Sequence, residues 1–354
     1  MIDDHPIARR AVIKTAGLGL GAGLAAGLPP LSAQAQAAAT AAPSTPGAQA
    51  SASDIWSAEY WTNKGEVTLN LWRKRVGVPA ADEPPRPVLF LVHGSSNSTR
   101  TSYDLAVPGK GEYSLMNVFA RYGFDVWTID HEGYGRSSRT SGNSDIASGV
   151  EDLKAAMDVV VRETARQKMH FFGTSSGAIR AGAFAQVRPE HVDRLVLSAF
   201  TYKGEGSPTL KQRAERLEYY RTHNTRLRDR AMIRSIFTRD GLANSYDPAV
   251  ADALADEELK HGDQVPTGTY LDMTANLPLV DPKKVQSPVL LIRGEHDGIA
   301  TVADLIDFYQ QLPNGDRQFV ILPNVAHSPV FSINRHLLWH VVREFLTMPA
   351  AVAS

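Results

Sequence analysis

The sequence predicts an α/β protein built on a doubly wound, mostly parallel β-sheet. Short, continuously apolar runs recur along the chain, as expected for strands that are buried on both faces of a parallel sheet. These runs cover residues 88–92, 124–129, 169–172, 195–198, 289–292 and 318–322. Segments with helical periodicity separate them, and this alternation is typical of a doubly wound fold.

An edge strand and three helices complete the predicted core. Residues 66–76 alternate apolar and polar side chains with a period of two, which indicates a half-exposed edge strand. Residues 148–166 carry their apolar side chains on one helical face, and similar patterns predict helices near residues 305–312 and 337–345. A chain of 354 residues is long enough for one such domain with a smaller insertion.

One long segment between two predicted strands departs from this alternation. It contains helical runs at residues 210–220 and 226–237 but no convincing buried strand. We therefore predict a helical cap over residues 200–285, inserted between core segments 54–199 and 286–349.

The charges of this segment are segregated along the chain. Residues 203–239 hold ten basic and four acidic side chains, whereas residues 240–285 hold three basic and nine acidic ones. The simpler interpretation is that the two halves pair across the solvated faces of their helices. The alternative is that some of the arginines attract an anionic substrate.

The bulk composition excludes several classes of function. The chain has 37 basic and 38 acidic residues, a balance that gives no reason to expect nucleic acid as a partner. It has no cysteine, which excludes disulfides, a thiol nucleophile and thiolate-bound metals. His336 and His340 lie one turn apart on a predicted helix, but no acidic ligand in a recognisable pattern accompanies them. We therefore expect neither a metal nor a cofactor, and the composition does not indicate an oligomeric state.

The N-terminal residues resemble a twin-arginine export signal. Arg9 and Arg10 precede a weakly hydrophobic, glycine-rich run over residues 16–28, and small-x-small cleavage motifs follow at residues 33–37. This run is short for a membrane span, which needs about 20 residues, although an uncleaved anchor is the alternative. We predict a signal peptide over residues 1–37.

Cleavage of this signal is predicted within residues 35–38. Residues 38–53 consist of small and polar residues with almost no apolar bulk, which indicates a disordered lead-in. We therefore expect the mature protein in the periplasm or outside the cell, without stable insertion into the membrane.

The strongest local signal is the Gly-x-Ser-x-Gly motif at residues 173–177, between a predicted strand and a predicted helix. In this context a tight turn lifts Ser175 out of the sheet in a strained backbone conformation. Side chains at Gly173 and Gly177 would collide with their surroundings. Ser175 is therefore the candidate nucleophile, and the N–H of Ser176 is a candidate donor to a developing oxyanion. The alternative is an ordinary strand-to-helix loop.

A serine hydroxyl needs a neighbouring base, and His327 is the best placed of the eleven histidines. It follows the last predicted strand and precedes the last helix, so a parallel sheet would bring it to the same edge as Ser175. His93 and His131 also follow strands, but each has a simpler interpretation as a loop-packing residue next to a turn glycine.

Asp297, in the loop after the preceding strand, is the predicted acid that orients this histidine. Glu295 is the competitor in the same loop. We expect Glu295 to form a salt bridge with Arg293 instead.

The loop that contains Gly94 is expected to supply the second oxyanion donor. Gly94 lets the backbone turn inward, and the N–H of Ser95 is the candidate donor, although a simple turn would share this geometry. Asp130 and the glycines after it are expected to shape a loop at the rim of the site. His93 and Phe331 are candidates for lining the substrate pocket.

Together these motifs resemble those of the cap-bearing α/β-hydrolases. The likeness covers about residues 55–348. Four motifs stand in the family's order, namely His-Gly-Ser at 93–95, Asp-x-x-Gly-x-Gly-x-Ser at 130–137, Gly-x-Ser-x-Gly at 173–177, and Gly-x-x-Asp at 294–297 with the later His327. The resemblance implies an eight-stranded sheet, with a cap inserted after the sixth core strand. The serine departs from the branches that use an aspartate nucleophile, such as haloalkane dehalogenases and epoxide hydrolases.

The resemblance also implies a function. A serine hydrolase of this kind would cleave a small or medium carboxylic ester through an acyl-enzyme on Ser175, with His327 as general base and acid and Asp297 orienting it. A cap favours small-molecule substrates over polymers or lipid droplets. The same triad would also serve a C–C bond hydrolase, a cofactor-free lyase, a perhydrolase, an amidase or a peptidase. A non-catalytic binding protein on this scaffold is the remaining alternative.

Overall fold

The computed structural model describes residues 54–349, and an eight-stranded sheet lies at its centre. The strands of the large sheet and of a separate two-stranded sheet, β7 and β8, are numbered together along the chain. They are β1 (Ile55–Lys64), β2 (Val67–Val76), β3 (Val88–Val92), β4 (Asp125–Ile129), β5 (Met169–Thr174), β6 (Val192–Ser198), β7 (Thr225–Leu227), β8 (Gln264–Pro266), β9 (Val289–Gly294) and β10 (Arg317–Leu322). The order across the large sheet is β1-β2-β4-β3-β5-β6-β9-β10. The predicted signal at residues 1–37 and the lead-in at residues 38–53 lie outside the described residues.

The pairing of the strands confirms the predicted doubly wound, mostly parallel sheet. In the large sheet, β1 with β2 and β2 with β4 pair antiparallel, and every other neighbouring pair is parallel. The sequence patterns predict β2, β3, β4, β5, β6, β9 and β10 but not β1. The prediction that residues 66–76 form an edge strand is wrong, because β1 covers β2 and the edges of the sheet are β1 and β10. The sequence gives no clear signal for β1. Most of its residues are only partly buried, so its apolar side chains show no clear alternation.

The central strands are continuously apolar because the sheet has a hydrophobic core on each face. In β3, Val88, Phe90 and Val92 pack into one core, whereas Leu89 and Leu91 pack into the other. Successive side chains of a strand point to opposite faces, so a strand between two cores needs apolar residues at every position.

Helices cover both faces of the sheet. They are α1 (Thr99–Tyr103), α2 (Leu115–Arg121), α3 (Ile146–Thr164), α4 (Ser176–Val187), α5 (Pro208–Ala214), α6 (Leu217–Thr222), α7 (Arg230–Thr238), α8 (Pro248–Glu258), α9 (Gly268–Leu271), α10 (Val302–Gln311) and α11 (Arg335–Leu346). Helices α3, α4 and α10 pack into one core, and α2 and α11 pack into the other. In the described part of the chain, none of these helices has the length and apolar character needed to cross a membrane.

The segment 200–285, which we call the insertion, joins β6 to β9 and contains α5 to α9. It also contains β7 and β8, a short antiparallel pair that the sequence analysis missed. Each of these strands has only three residues, which is too short to show a period. The helix expected over 226–237 begins instead at Arg230, because the side chain of Asp229 caps it by accepting a hydrogen bond from the Met232 N–H.

A buried ion pair fixes the insertion to the loop that follows β3. The Arg228 guanidinium pairs with the Glu258 carboxylate and also donates to the Ser96 carbonyl at 2.7 Å. Glu258 accepts from both the N–H and the hydroxyl of Ser98, each at 2.9 Å. Both charged side chains are buried, so the pair and its hydrogen bonds must form together.

We expect Glu258→Ala to lower the free energy of unfolding by about 3–5 kcal/mol, because it leaves the Arg228 charge buried without its partner. Denaturant unfolding followed by circular dichroism would measure this change. The matched control is Glu257→Ala, one residue earlier on α8, which removes an exposed pair with Lys260. A surface pair contributes at most about 1 kcal/mol, so equal effects of the two variants would contradict the prediction.

Candidate active site

The turn between β5 and α4 holds Ser175 in a backbone conformation that is unusual for a serine. Its φ is 58°, in the left-handed region, and its ψ is −127°. A Cβ atom at Gly173 would lie 2.4 Å from the Gly177 carbonyl oxygen, and one at Gly177 would lie 2.2 Å from the Val92 carbonyl oxygen. The two glycines therefore permit the close approach of α4 to the sheet, as the sequence motif predicts.

The structure brings Ser175, His327 and Asp297 into one hydrogen-bonded chain. The Ser175 Oγ lies 2.9 Å from His327 Nε2, and His327 Nδ1 lies 2.9 Å from Asp297 Oδ1. Because a carboxylate accepts only, Nδ1 carries the proton and Nε2 is free to accept one from the serine. The three residues follow β5, β10 and β9, whose carboxyl ends share one edge of the sheet.

Burial and nearby charges set the protonation of this pair. Burial lowers the pKa of His327 below its usual value, against the effect of the Asp297 carboxylate, and the Arg239 charge lowers it further. Burial by itself would raise the pKa of Asp297, but its contacts with His327 and the Ile299 N–H lower it overall. At neutral pH a neutral imidazole therefore lies beside an ionised carboxylate.

The loop that carries Asp297 is held by Arg293, and not through the salt bridge to Glu295 that the sequence suggested. The Arg293 guanidinium donates to the main-chain carbonyls of Gly294 at 2.7 Å and of Asp297 at 2.7 Å. The Glu295 carboxylate instead accepts from the N–H of Asn324 at 2.9 Å. The expected pair is wrong because the tight loop turns its own carbonyl groups toward the arginine.

Asp240 is a residue of the site that the sequence analysis missed. It lies in the insertion just after α7, and its carboxylate accepts from the N–H of His327 at 2.9 Å and from the N–H of Gly298 at 3.3 Å. It therefore joins the loop of the histidine to the loop of Asp297. One aspartate among the nine acidic residues of its segment carries no sequence signal for this position.

The two predicted oxyanion donors lie side by side. The Ser95 N–H donates to the Oγ of Ser176 at 2.7 Å, and the two hydroxyl groups share a hydrogen bond of 2.8 Å. The Ser95 N–H is therefore engaged by a side chain in this arrangement. The Ser176 N–H is the first of α4, where a helix leaves its N–H groups without intrahelical partners.

The insertion contacts this loop through hydroxyl groups. Ser95 Oγ and Thr269 Oγ1 share a hydrogen bond of 2.7 Å, and Ser96 Oγ shares one with the Tyr270 hydroxyl. The loop after β3 is therefore fixed both by α4 and by the insertion.

A cleft opens above Ser175, with about 570 Å³ of empty volume that is partly open to solvent. Core residues including His327 and Phe331 line one part of it, and Arg213, Ile236 and Arg239 of the insertion line another.

The structure does not place His93 at this cleft. Its buried ring lies beneath the loop, with Nδ1 2.9 Å from the Gly94 carbonyl oxygen and Nε2 accepting from the His131 N–H at 3.1 Å. Both ring nitrogens are thus used to pack the loop. Asp130 likewise shapes its loop, as predicted, by accepting from the N–H groups of Thr99 at 2.8 Å and Arg136 at 2.9 Å.

Within residues 54–349, no group of three or more histidine, aspartate or glutamate side chains is arranged to hold a metal ion.

The eight-stranded sheet and the serine turn at its edge define the class of the protein as an α/β-hydrolase. The family model described as serine aminopeptidase, S33 (Hydrolase_4) matches residues 83–333, and the chain belongs to that family.

Two curated relatives share part of this sequence. A probable lipase of Schizosaccharomyces pombe is 28% identical over 131 residues, which are 34% of this chain and 29% of the relative. Lipase 3 of Drosophila melanogaster is 29% identical over 120 residues, which are 31% of this chain and 29% of the relative. The matched segment thus spans less than a third of either relative.

The fold has similar solved structures. One is 2-hydroxy-6-oxo-6-phenylhexa-2,4-dienoate hydrolase from Rhodococcus sp. strain RHA1, with a TM-score of 0.59 and 17% sequence identity. The likeness covers 82% of this chain and 99% of that one. At this identity, the likeness concerns the fold alone.

We expect the apparent pKa of His327 to lie below about 6.5, the ordinary value for histidine, because burial and the Arg239 charge disfavour the imidazolium form. Removing that charge by Arg239→Gln should raise the pKa. Titration of the ring nitrogens by NMR in histidine-labelled protein would measure both values. Arg234→Gln, which alters an exposed arginine of α7, is the control and should leave the pKa unchanged. A value above 6.5 in the unaltered protein would contradict the prediction.

Proposed function

We propose that the protein is a serine hydrolase that cleaves a small or medium carboxylic ester through an acyl-enzyme on Ser175. The observation that carries this proposal is the chain of two 2.9 Å hydrogen bonds from Ser175 through His327 to Asp297. A serine, a neutral imidazole and a buried carboxylate in this order are what nucleophilic catalysis by a hydroxyl requires. The lipase names of the two curated relatives support an ester bond as the target.

The first step is attack of Ser175 Oγ on the ester carbonyl carbon. His327 Nε2 takes the hydroxyl proton, and the carbonyl oxygen becomes an oxyanion near the N-terminus of α4. The alcohol then leaves with the proton from His327, and the acyl group stays on the serine. The Asp297 carboxylate stabilises the imidazolium that exists between the two proton transfers.

The oxyanion would lie against the Ser176 N–H and the dipole of α4. The Ser95 N–H joins as the second donor once the hydroxyl of Ser176 turns away from Ser95, which breaks two hydrogen bonds and costs roughly 2 kcal/mol. A typical oxyanion donor contributes about 3 kcal/mol to the transition state, so this exchange favours the reaction.

The second step returns the enzyme to its starting state. A water molecule gives a proton to His327 Nε2 and attacks the acyl carbon. The carboxylic acid departs, and His327 returns the proton to Ser175 Oγ.

We infer that the insertion acts as a cap over this site and selects the substrate. Three of its residues line the cleft beside Ser175, namely Arg213, Ile236 and Arg239. A roofed cleft admits a small ester more readily than a polymer chain or a lipid surface.

The family description also raises the possibility of an aminopeptidase, which would bind the positively charged amino terminus of a peptide. Such a site needs a carboxylate in the cleft. Among the described residues, the charged side chains that line the cleft beside the triad are Arg213 and Arg239, with no aspartate or glutamate. Their positive charge disfavours a substrate ammonium, so we favour the esterase.

We expect Ser175→Ala to lower turnover of 4-nitrophenyl esters by roughly 10⁴–10⁶-fold while the unfolding temperature stays close to that of the unaltered protein. A fluorophosphonate probe should label the unaltered protein and not the variant. The matched control is Ser57→Ala, an exposed serine of β1, which should change neither activity nor labelling. A Ser175→Ala variant that kept most of its activity would contradict the proposal.

Export is a further proposal and rests on the sequence of residues 1–37 alone. We expect the protein recovered from a periplasmic fraction to begin within residues 35–38, because the small-x-small motifs end there. N-terminal sequencing would check this. If the protein instead stays in the membrane fraction and its N-terminal sequence still includes Arg9 and Arg10, the segment is an uncleaved anchor.

A further inference from the structure

Two arginines of the insertion lie in the cleft beside Ser175 and His327. Arg213 belongs to the last turn of α5, and Arg239 directly follows α7. Both line the cleft together with the serine and the histidine. Neither has a part in the proton transfers of the proposed reaction.

The charge of Arg213 has no carboxylate partner. Among residues 54–349, no acidic group lies within 4.0 Å of its guanidinium, and no hydrogen bond reaches it. The guanidinium lies 5.2 Å from the centroid of the Tyr270 ring. Burial and the neighbouring Arg239 charge lower the pKa of Arg213 to about 10, so it stays protonated at neutral pH.

Arg239 is only weakly paired. Its Nε lies 3.8 Å from Asp240 Oδ1 and is buried without a hydrogen bond. The Asp240 carboxylate already accepts the N–H groups of His327 and Gly298. Within the part of the chain that the structure describes, the lining of the cleft beside Ser175 contains two guanidinium groups and no carboxylate.

Two arginines of α7 that do not line the cleft form ion pairs instead. Arg230 and Arg234 on α7 form ion pairs with Asp252 and Asp256, and both are largely exposed. The acidic half of the insertion thus neutralises the outer face of α7 but not the cleft. The sequence left open whether the arginines of the insertion pair across helices or attract an anion. Arg230 and Arg234 pair across helices, whereas Arg213 and Arg239 remain without a full partner among the residues that the structure describes.

A third arginine extends the positive surface. Arg226 lies 4.9 Å from the centroid of the same Tyr270 ring, and its Nε is buried without a hydrogen bond. It lines a hollow that adjoins the cleft and shares Arg213 and Arg239 with it. The acidic residue on this hollow, Glu215, is exposed to solvent.

We propose that Arg213 and Arg239 form a subsite for a carboxylate of the substrate, so that the preferred ester is a monoester of a dicarboxylic acid. A guanidinium donates two parallel hydrogen bonds to a carboxylate, and the lining of the cleft, as the described residues form it, offers two guanidinium groups and no carboxylate of its own. This inference rests on the proposed function, since it places the carboxylate on the molecule that Ser175 attacks.

The first experiment compares two esters that differ only at the end of the acyl chain. Mono-4-nitrophenyl adipate and 4-nitrophenyl hexanoate have acyl chains of equal length, one ending in a carboxylate and the other in a methyl group. We expect kcat/KM to favour the adipate ester at least tenfold at low salt, and the ratio to fall as salt screens the charges. Spontaneous hydrolysis is subtracted with the Ser175→Ala variant.

Substitution then assigns the preference to the arginines. Arg213→Gln should lower the ratio of the two kcat/KM values at least tenfold, and Arg213→Lys should lower it less, because lysine keeps the charge but not the paired donors. Arg234→Gln, on the paired outer face of α7, should leave the ratio unchanged. A ratio near one in the unaltered protein, or one that Arg213→Gln does not move, overturns the proposal.

A binding measurement separates this proposal from the esterase itself. Calorimetric titration of the Ser175→Ala variant with adipate should show saturable binding that weakens at least tenfold when Arg213→Gln is added. If neither ester is hydrolysed but adipate binds through Arg213, the subsite stands and the esterase fails. If Ser175 hydrolyses the neutral ester while adipate neither binds nor is preferred as an ester, the esterase stands and the subsite fails.

Discussion

The backbone conformation of Ser175 is the constraint on which the rest of the site depends. A serine with a φ of 58° costs of order 1–3 kcal/mol, so the surrounding structure must impose it. Backbone packing holds Ser175 in this conformation. Gly173 and Gly177 let the backbones of β3, β5 and α4 approach within distances that no Cβ atom would allow. The helix α4 begins at Ser176, directly after Ser175, so its first N–H groups lie at the same turn. A single packing contact therefore positions both the proposed nucleophile and the proposed oxyanion donor.

The core provides Ser175, His327 and Asp297, but the insertion completes the candidate site around them. Asp240 reaches from the insertion to the main chain of His327 and of Gly298, so the positions of the proposed base and acid depend on a residue outside the core. The Arg228–Glu258 pair does the same for the loop after β3. A change that loosens the insertion would thus disturb the loop after β3 and the loop of His327 together.

The sequence could predict that Ser175, Asp297 and His327 lie together because each of them follows a strand whose pattern is unambiguous. Ser175, Asp297 and His327 come after continuously apolar runs, and parallel strands place all such positions at one edge of the sheet. His93 also follows a strand, but its ring turns into the core, and nothing in the local sequence separates these two outcomes. Asp240 could not be predicted because its role depends on how α7 docks onto the core. Polar residues within a polar segment have no period that would reveal such contacts.

Arg239 links the proposed base to the proposed anion subsite. Its charge lowers the pKa of His327, and its weak contact with Asp240 offsets that charge only in part. A substrate carboxylate held by Arg213 and Arg239 would neutralise the charge, and the pKa of His327 would then rise in the complex. A stronger base would be present only when the anionic ester is bound, whereas a neutral ester would meet the weaker one. The discrimination between the two esters should therefore lie in kcat as well as in KM, because the same arginines both bind the substrate and tune the base that takes the proton from Ser175.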